Sequence, residues 1–145
     1  MAEIEVKVKK LHPDAKLPSY AHAPDEGELG ADLYSVEVLD LLPGQIRTVS
    51  TGVALEFPRG WGGLIEDRSG LALKGVCTLA GVIDSGFRGE LKVVLINLGS
   101  APYRVQIGDR IAQIRMTKCH TAAFRLSDVL ATSSRGEGGF GSTGK

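Results

Sequence analysis

The sequence predicts an all-β fold. Three observations carry this: short runs that alternate apolar and polar residues, turn-forming clusters between them, and no long stretch of helical periodicity. In chain order, "IEVKVKK" sets Ile4, Val6 and Val8 on one face and Glu5, Lys7 and Lys9 on the other, the pattern of a half-buried strand. "VALEF" repeats the pattern with Val53, Leu55 and Phe57. "LKVVLIN" places Leu91, Val93 and Leu95 on one face and Val94 and Ile96 opposite, so both faces offer apolar side chains for burial. "YRVQI" and "RIAQIRM" add two more strands. "LPGQ", "PRGWGG" and "LGSAPY" carry turn chemistry. Many short strands at close spacing point to a sandwich or barrel. Helix is expected at only two places: a turn or two in "RSGLALKG" after Ser69, and "LSDVLA" with Ser127 as its cap.

A length of 145 residues suits one domain with a core of its own. Lys+Arg 17 against Asp+Glu 17 leaves a net charge of +0, which argues against nucleic acid or an anionic membrane as partner. An anionic ligand must then be held by local placement of charge. No apolar run is long enough to span a bilayer, and "MAEIEVKVKK" lacks the apolar stretch of a signal peptide. Cys77 and Cys119 form no C-x-x-C motif and read as reduced, buried thiols of a cytoplasmic protein.

Composition shifts after Ala131, dividing the chain into a β domain, 1–131, and a glycine-rich arm, 132–145. Gly139 to Lys145 reads G-x-x-x-x-G-K, yet no apolar strand precedes it and no Ser or Thr follows the lysine, so a P-loop is excluded. A plain linker rarely needs Arg135 or Phe140. Arg135 offers a planar fork for phosphate, Ser142 and Thr143 offer hydroxyls, and the glycines free backbone N–H groups to cradle an anion. Phe140 has the face to stack on a base.

Four further stretches carry chemistry. In "GVIDSGFRGEL", Asp84 lies between apolar runs on an expected hairpin beside Phe87, placed to polarise a water. "DRSGLALKG" sets Arg68 and Ser69 at a helix start, where free N–H groups favour phosphate. "GADLYS" offers Asp32, and "GDRIAQI" offers Gln113 on a strand. Alone, each has an ordinary explanation as a turn carboxylate, a solvated loop or a sheet-surface amide.

Their order is more specific. "GADLYS", "DRSGLALKG", "GVIDSGFRG", "GDRIAQI" and "RGEGGFGSTG" resemble, in sequence order, the five motifs of the trimeric deoxyuridine triphosphatases (dUTPases), from about Gly30 to Gly144. The resemblance implies a distorted β-barrel or jelly roll, a homotrimer with three shared active sites and a flexible C-terminal arm. It implies hydrolysis of dUTP to dUMP and pyrophosphate with Mg2+, which keeps uracil out of DNA and supplies dUMP for thymidylate synthesis.

Residue by residue, Asp84 matches the aspartate that activates water for in-line attack on the α-phosphorus. Leu79, Ala80, Gly81 and Val82 match the backbone that reads uracil. Phe87 stands where the family usually has tyrosine packed on deoxyribose; the ring is kept and the phenol lost. Arg68, Ser69 and Gly70 match the phosphate-binding turn, and Gln113 a contact to the phosphate chain. Asp32 matches the acidic residue that supports the magnesium through water. Arg135, Phe140, Gly141, Ser142 and Thr143 match the arm: a γ-phosphate fork, a uracil stacker and its glycine, and phosphate hydroxyls. Asp67 departs from the family, which commonly has proline there, and puts the geometry of that turn in question. A dCTP deaminase shares this fold, but it resembles a pattern with glutamate where this chain has Val94, and valine cannot shuttle a proton. A non-catalytic, nucleotide-binding regulator is the other alternative. The retained Asp84, Ser69, Gln113 and Arg135 argue against it.

Overall fold

The structure, a computed structural model, describes residues 3–22 and 26–144; Lys145 lies outside them. Ten strands and one short helix follow in the order β1 (Lys7–Lys10), β2 (Ala31–Tyr34), β3 (Leu39–Leu41), β4 (Ile46–Glu56), β5 (Trp61–Glu66), α1 (Ser69–Ala72), β6 (Val76–Leu79), β7 (Val82–Ile83), β8 (Glu90–Asn97), β9 (Tyr103–Val105) and β10 (Arg110–Lys118). Two four-stranded sheets, ordered β1-β4-β8-β6 and β2-β10-β5-β7, and a two-stranded ribbon, β3-β9, make up the body. All pairings are antiparallel, as the all-β expectation requires.

The alternating runs behave as their periodicity demands. In β8, Leu91, Val93 and Leu95 are buried, whereas Val94 and Ile96 are only partly covered. They meet Val49 and Val53 of β4, Leu33 of β2 and Ile111 and Ile114 of β10 in one core. Burying a side chain of this size contributes about 1.5–3 kcal/mol. The polar Asn97 is fully buried among them. Its amide donates to the carbonyls of Leu41 and Ala101, both at 2.8 Å, and its Oδ1 accepts from the Gly99 N–H at 2.9 Å. Those bonds offset its desolvation and tie the end of β8 to the β3–β9 ribbon.

Four expectations change. "PRGWGG" is a turn only as far as Gly60; Trp61, Gly62 and Gly63 begin β5. Glycine is needed there because a Cβ at Gly63 would lie 2.6 Å from Ile114 Cδ1 and one at Gly62 2.8 Å from the Ile83 carbonyl. "GADLYS" is strand β2 rather than a turn. "LSDVLA" is not helical: the Ser127 hydroxyl donates to the Val129 carbonyl and accepts from the Val129 N–H, a local turn that competes with helix. Cys77 is partly exposed and Cys119 exposed; both are free, but neither is buried.

The hairpin expected around Asp84 is present as the antiparallel pair β6–β8, but Asp84 sits on an excursion between them, where β7 pairs with β5 of the other sheet. The chain changes sheets at Ala80 and Gly81, with φ of 61° and 111°. Two successive residues in the left-handed region make this sharp reversal, and for the alanine that conformation costs about 1–2 kcal/mol. Such strain is tolerated where the surroundings fix it, and here the Gly81 carbonyl is held by the Ile65 N–H at 2.8 Å.

The last strand ends at Lys118, and the Cys119 N–H still bonds to the Gly60 carbonyl at 2.8 Å. Among the described residues beyond it, every hydrogen bond of 120–144 stays within that segment. Among the described residues, no helix is long and apolar enough to cross a membrane.

Candidate active site

Register in the β2-β10-β5-β7 sheet lines up Asp32, Gln113 and Glu66 across three neighbouring strands. Arg68, Ser69 and Gly70 follow directly from the end of β5. One polar cleft of about 190 Å3 therefore gathers Gly30, Asp32, Arg68, Ser69, Gly70 and Gln113. This brings together the phosphate-side and acidic residues expected from three separate stretches of sequence.

Asp32 is buried, yet its carboxylate is paired twice. Oδ1 accepts from Arg68 Nε at 2.9 Å, and Oδ2 faces Arg110 NH1 at 3.4 Å. A buried carboxylate needs such partners. The pairing also orients Arg68, whose Nη1 donates to the Arg110 carbonyl at 3.5 Å and whose Nη2 makes no hydrogen bond among the described residues. Ser69 and Gly70 open α1, and their backbone N–H groups have no acceptor among the hydrogen bonds of the described residues. Gln113 Nε2 donates to the Asp67 carbonyl at 2.7 Å, keeping its second N–H available. Gly30 leaves room for the Gln113 amide, which a Cβ there would push out of its present position. At the rim, Glu28 accepts from the His22 backbone N–H at 2.9 Å and pairs with its Nδ1 at 2.5 Å; the backbone bond first, then the side-chain bond, hold this carboxyl below its usual value.

Asp67, the departure in the phosphate turn, has a clear structural use. Its Oδ1 accepts from both the N–H and the hydroxyl of Thr78, at 2.5 and 2.8 Å. The local restriction that proline imposes through its ring is supplied here by hydrogen bonds to β6.

Asp84 stands apart from this cleft. Ile83 is opposite Gly63, which puts Asp84 level with Gly62, four residues down β5 from Glu66. At the rise of a strand that is about 13 Å along the sheet. Asp84 is exposed, in a turn closed by the Phe87 N–H donating to the Asp84 carbonyl at 3.1 Å. Arg88 braces the turn by donating to the carbonyls of Ser85 and Phe87, at 2.8 and 3.0 Å. The Phe87 ring lies over Gly89, where a Cβ would come within 2.7 Å of it. Leu79, Ala80 and Val82, on the way to this turn, are exposed too.

The arm does not reach either place within its own chain. It folds on itself in short turns: Arg135 Nε donates to the Gly138 carbonyl at 2.8 Å, and the Ser142 N–H to Gly139 at 3.0 Å. Phe140 has φ of 50° and a fully exposed ring. Sequence reasoning missed Arg110, Arg88, Gly89 and the bracing role of Asp67. Each lay inside or beside a motif, but only the fold shows what it touches.

The chain matches the family model for dUTPase over residues 17–144. It belongs to the dUTPase family. The "Deoxyuridine 5'-triphosphate nucleotidohydrolase" of Solibacter usitatus is 46% identical, with 100% of this chain and 99% of that one covered. The dUTPase of Staphylococcus bacteriophage 80alpha, solved with dUpNHpp, superposes with a TM-score of 0.89 at 28% identity, covering 97% of this chain and 99% of that one. The dUTPase from phage phi11 of S. aureus, solved to show the coordination of a structural Mg(II) ion, has a TM-score of 0.79 at 23% identity over 88% of this chain and 99% of that one, a likeness of fold.

Proposed function

We propose that the chain hydrolyses dUTP to dUMP and pyrophosphate at sites assembled between copies of itself. Membership of the dUTPase family supports the reaction. The separation within one chain of a phosphate cleft from the aspartate that must act on the same nucleotide supports the assembly. Leu79 to Val82 and Asp84 follow one another through the crossover from β6 to β7 and stay together as the base and water side. Arg68, Ser69, Gly70 and Gln113 of a neighbouring copy supply the phosphate side. The arm supplies the third part.

The segment before the arm favours the same assembly. Phe124, Leu126, Val129 and Leu130 are almost wholly exposed, in a stretch without a hydrogen bond to its own body. Four large exposed apolar side chains within residues 124–130 suit an association surface. A homotrimer is the closed arrangement in which each copy gives one part to each site.

At such a site the backbone of residues 79–82 pairs with the fixed donor and acceptor edge of uracil. Cytosine presents the opposite pattern at its exocyclic position, and a buried mismatch of that kind is costly. Phe87 packs on the sugar and leaves little room for a 2′-hydroxyl. Asp84 takes a proton from the water that attacks the α-phosphorus in line, while the turn at 68–70 and Gln113 hold the phosphate chain. Charge develops on phosphate oxygens, so donors fixed beforehand around them contribute more than flexible ones would.

Among the described residues, no three His, Cys, Asp or Glu side chains cluster to hold a metal. Both oxygens of Asp32 already face arginines. A magnesium held by a protein cage does not fit these residues. Magnesium carried on the triphosphate does, with Asp32 touching it only through water, because this ion keeps several waters and prefers phosphate oxygens. The substrate is then the metal–nucleotide complex.

Pyrophosphate release from dUTP, dCTP, dTTP and UTP in parallel tests this reading. Only dUTP should turn over well. Ammonia from dCTP would instead revive the deaminase, and nucleotide binding without any release would favour a regulator.

A further inference from the structure

Asp67 sits where the two halves of the binding machinery meet. Its carbonyl accepts from Gln113 Nε2 at 2.7 Å, on the phosphate side. Its carboxylate accepts twice from Thr78, the residue before Leu79, on the base side. Arg68 and Ser69 follow it directly in the chain. One residue therefore ties β5, β10 and β6 together at the level of the cleft.

We propose that Asp67 is a positioning residue that couples base reading to phosphate placement. The inference rests on the dUTP site described above. The strained crossover at Ala80 and Gly81 begins two residues beyond Thr78, and Gly81 is held at its far end by Ile65. Thr78 is the near anchor. A carboxylate accepting two hydrogen bonds at one oxygen is a firm anchor, since bonds to a charged group are about twice as strong as neutral ones. Releasing it frees the backbone whose N–H and C=O groups must face uracil, and loosens the turn that presents Ser69 and Gly70. Asp67 itself touches no substrate in this scheme. Because base side and phosphate side of one chain serve neighbouring sites, the same bond links one site to the next.

The test compares Asp67→Ala, Asp67→Asn and Thr78→Val in steady-state pyrophosphate release from dUTP and dCTP, with Tm measured alongside. Asp67→Ala should raise KM for dUTP roughly ten- to a hundredfold, the range expected for hydrogen bonds to a charged group, and should lower the dUTP:dCTP selectivity by about tenfold or more. Asp67→Asn keeps an acceptor oxygen for Thr78 and should recover most of both. Thr78→Val keeps the N–H and loses the hydroxyl, so it should fall between. Should Asp67→Ala fail to fold, the selectivities of Asp67→Asn and Thr78→Val decide. A lowered Tm with unchanged KM and selectivity would overturn the inference and leave a purely structural brace, and so would Asp67→Asn behaving like alanine. Wild-type protein that does not hydrolyse dUTP would overturn the reading of the site instead.

Discussion

Asp84→Asn should lower kcat for dUTP by roughly 10²–10⁴, the usual contribution of a positioned general base, while KM changes only a few-fold. Asparagine keeps the size and the turn, whose closing bond uses the Asp84 carbonyl and not its side chain. The amide cannot accept the proton of the attacking water. The loss therefore falls on the chemical step, as expected when an interaction needed only in the transition state is removed. Single-turnover pyrophosphate release and dUMP binding, measured on the same variant, separate the two. Near-normal turnover would show that the water is activated elsewhere.

Removal of residues 135–145 should be nearly as damaging. The deleted segment makes no hydrogen bond to the body among the described residues, so fold, Tm and oligomeric state should stay as they are. Ordering about ten residues costs roughly 10 kcal/mol or more of backbone entropy, with glycines at the costly end. An Arg135–phosphate bond returns about 1.5–3 kcal/mol, and stacking of Phe140 on the base about 1–3 kcal/mol. On the proposed reading the arm would close only over a full triphosphate, where Ser142, Thr143 and the glycine N–H groups add their bonds, and closure would exclude water and stiffen the phosphate chain before attack. We expect kcat/KM to fall by at least about a hundredfold, the scale of losing one or two such donors. Turnover close to that of the full chain would rule out a lid.

Much of this was legible in the sequence for a physical reason. Period-two alternation marks a strand whenever one face is buried, and Val53, Leu55, Leu91, Val93 and Leu95 are buried as their spacing requires. The five motifs were readable because their glycines, aspartates and arginines keep a fixed order along a chain that matches the family over residues 17–144. β5 was hidden because its glycines, dictated by Ile114 and Ile83 pressing on them, look like a turn in one dimension. Ser127 looked like a helix cap because the same hydroxyl chemistry serves a cap and an isolated turn. The double pairing of Asp32 needs Arg68 and Arg110, which are 36 and 78 residues away, and no local pattern connects them. The bond from Asp67 to Thr78 had no sequence signal beyond the absence of proline.

The separation of Asp84 from the phosphate cleft and from the arm within one chain supports the proposed shared site, and mixing variants of Asp84 and of the arm tests that proposal most directly. Chains carrying Asp84→Asn and chains lacking residues 135–145 should each be nearly inactive alone. Unfolded together in equal amounts and refolded as mixed trimers, they should recover activity at about one site in four, the product of one-half for an intact Asp84 and one-half for an intact arm drawn from a different copy. If each chain used its own aspartate and its own arm, the mixture would stay as inactive as its parts.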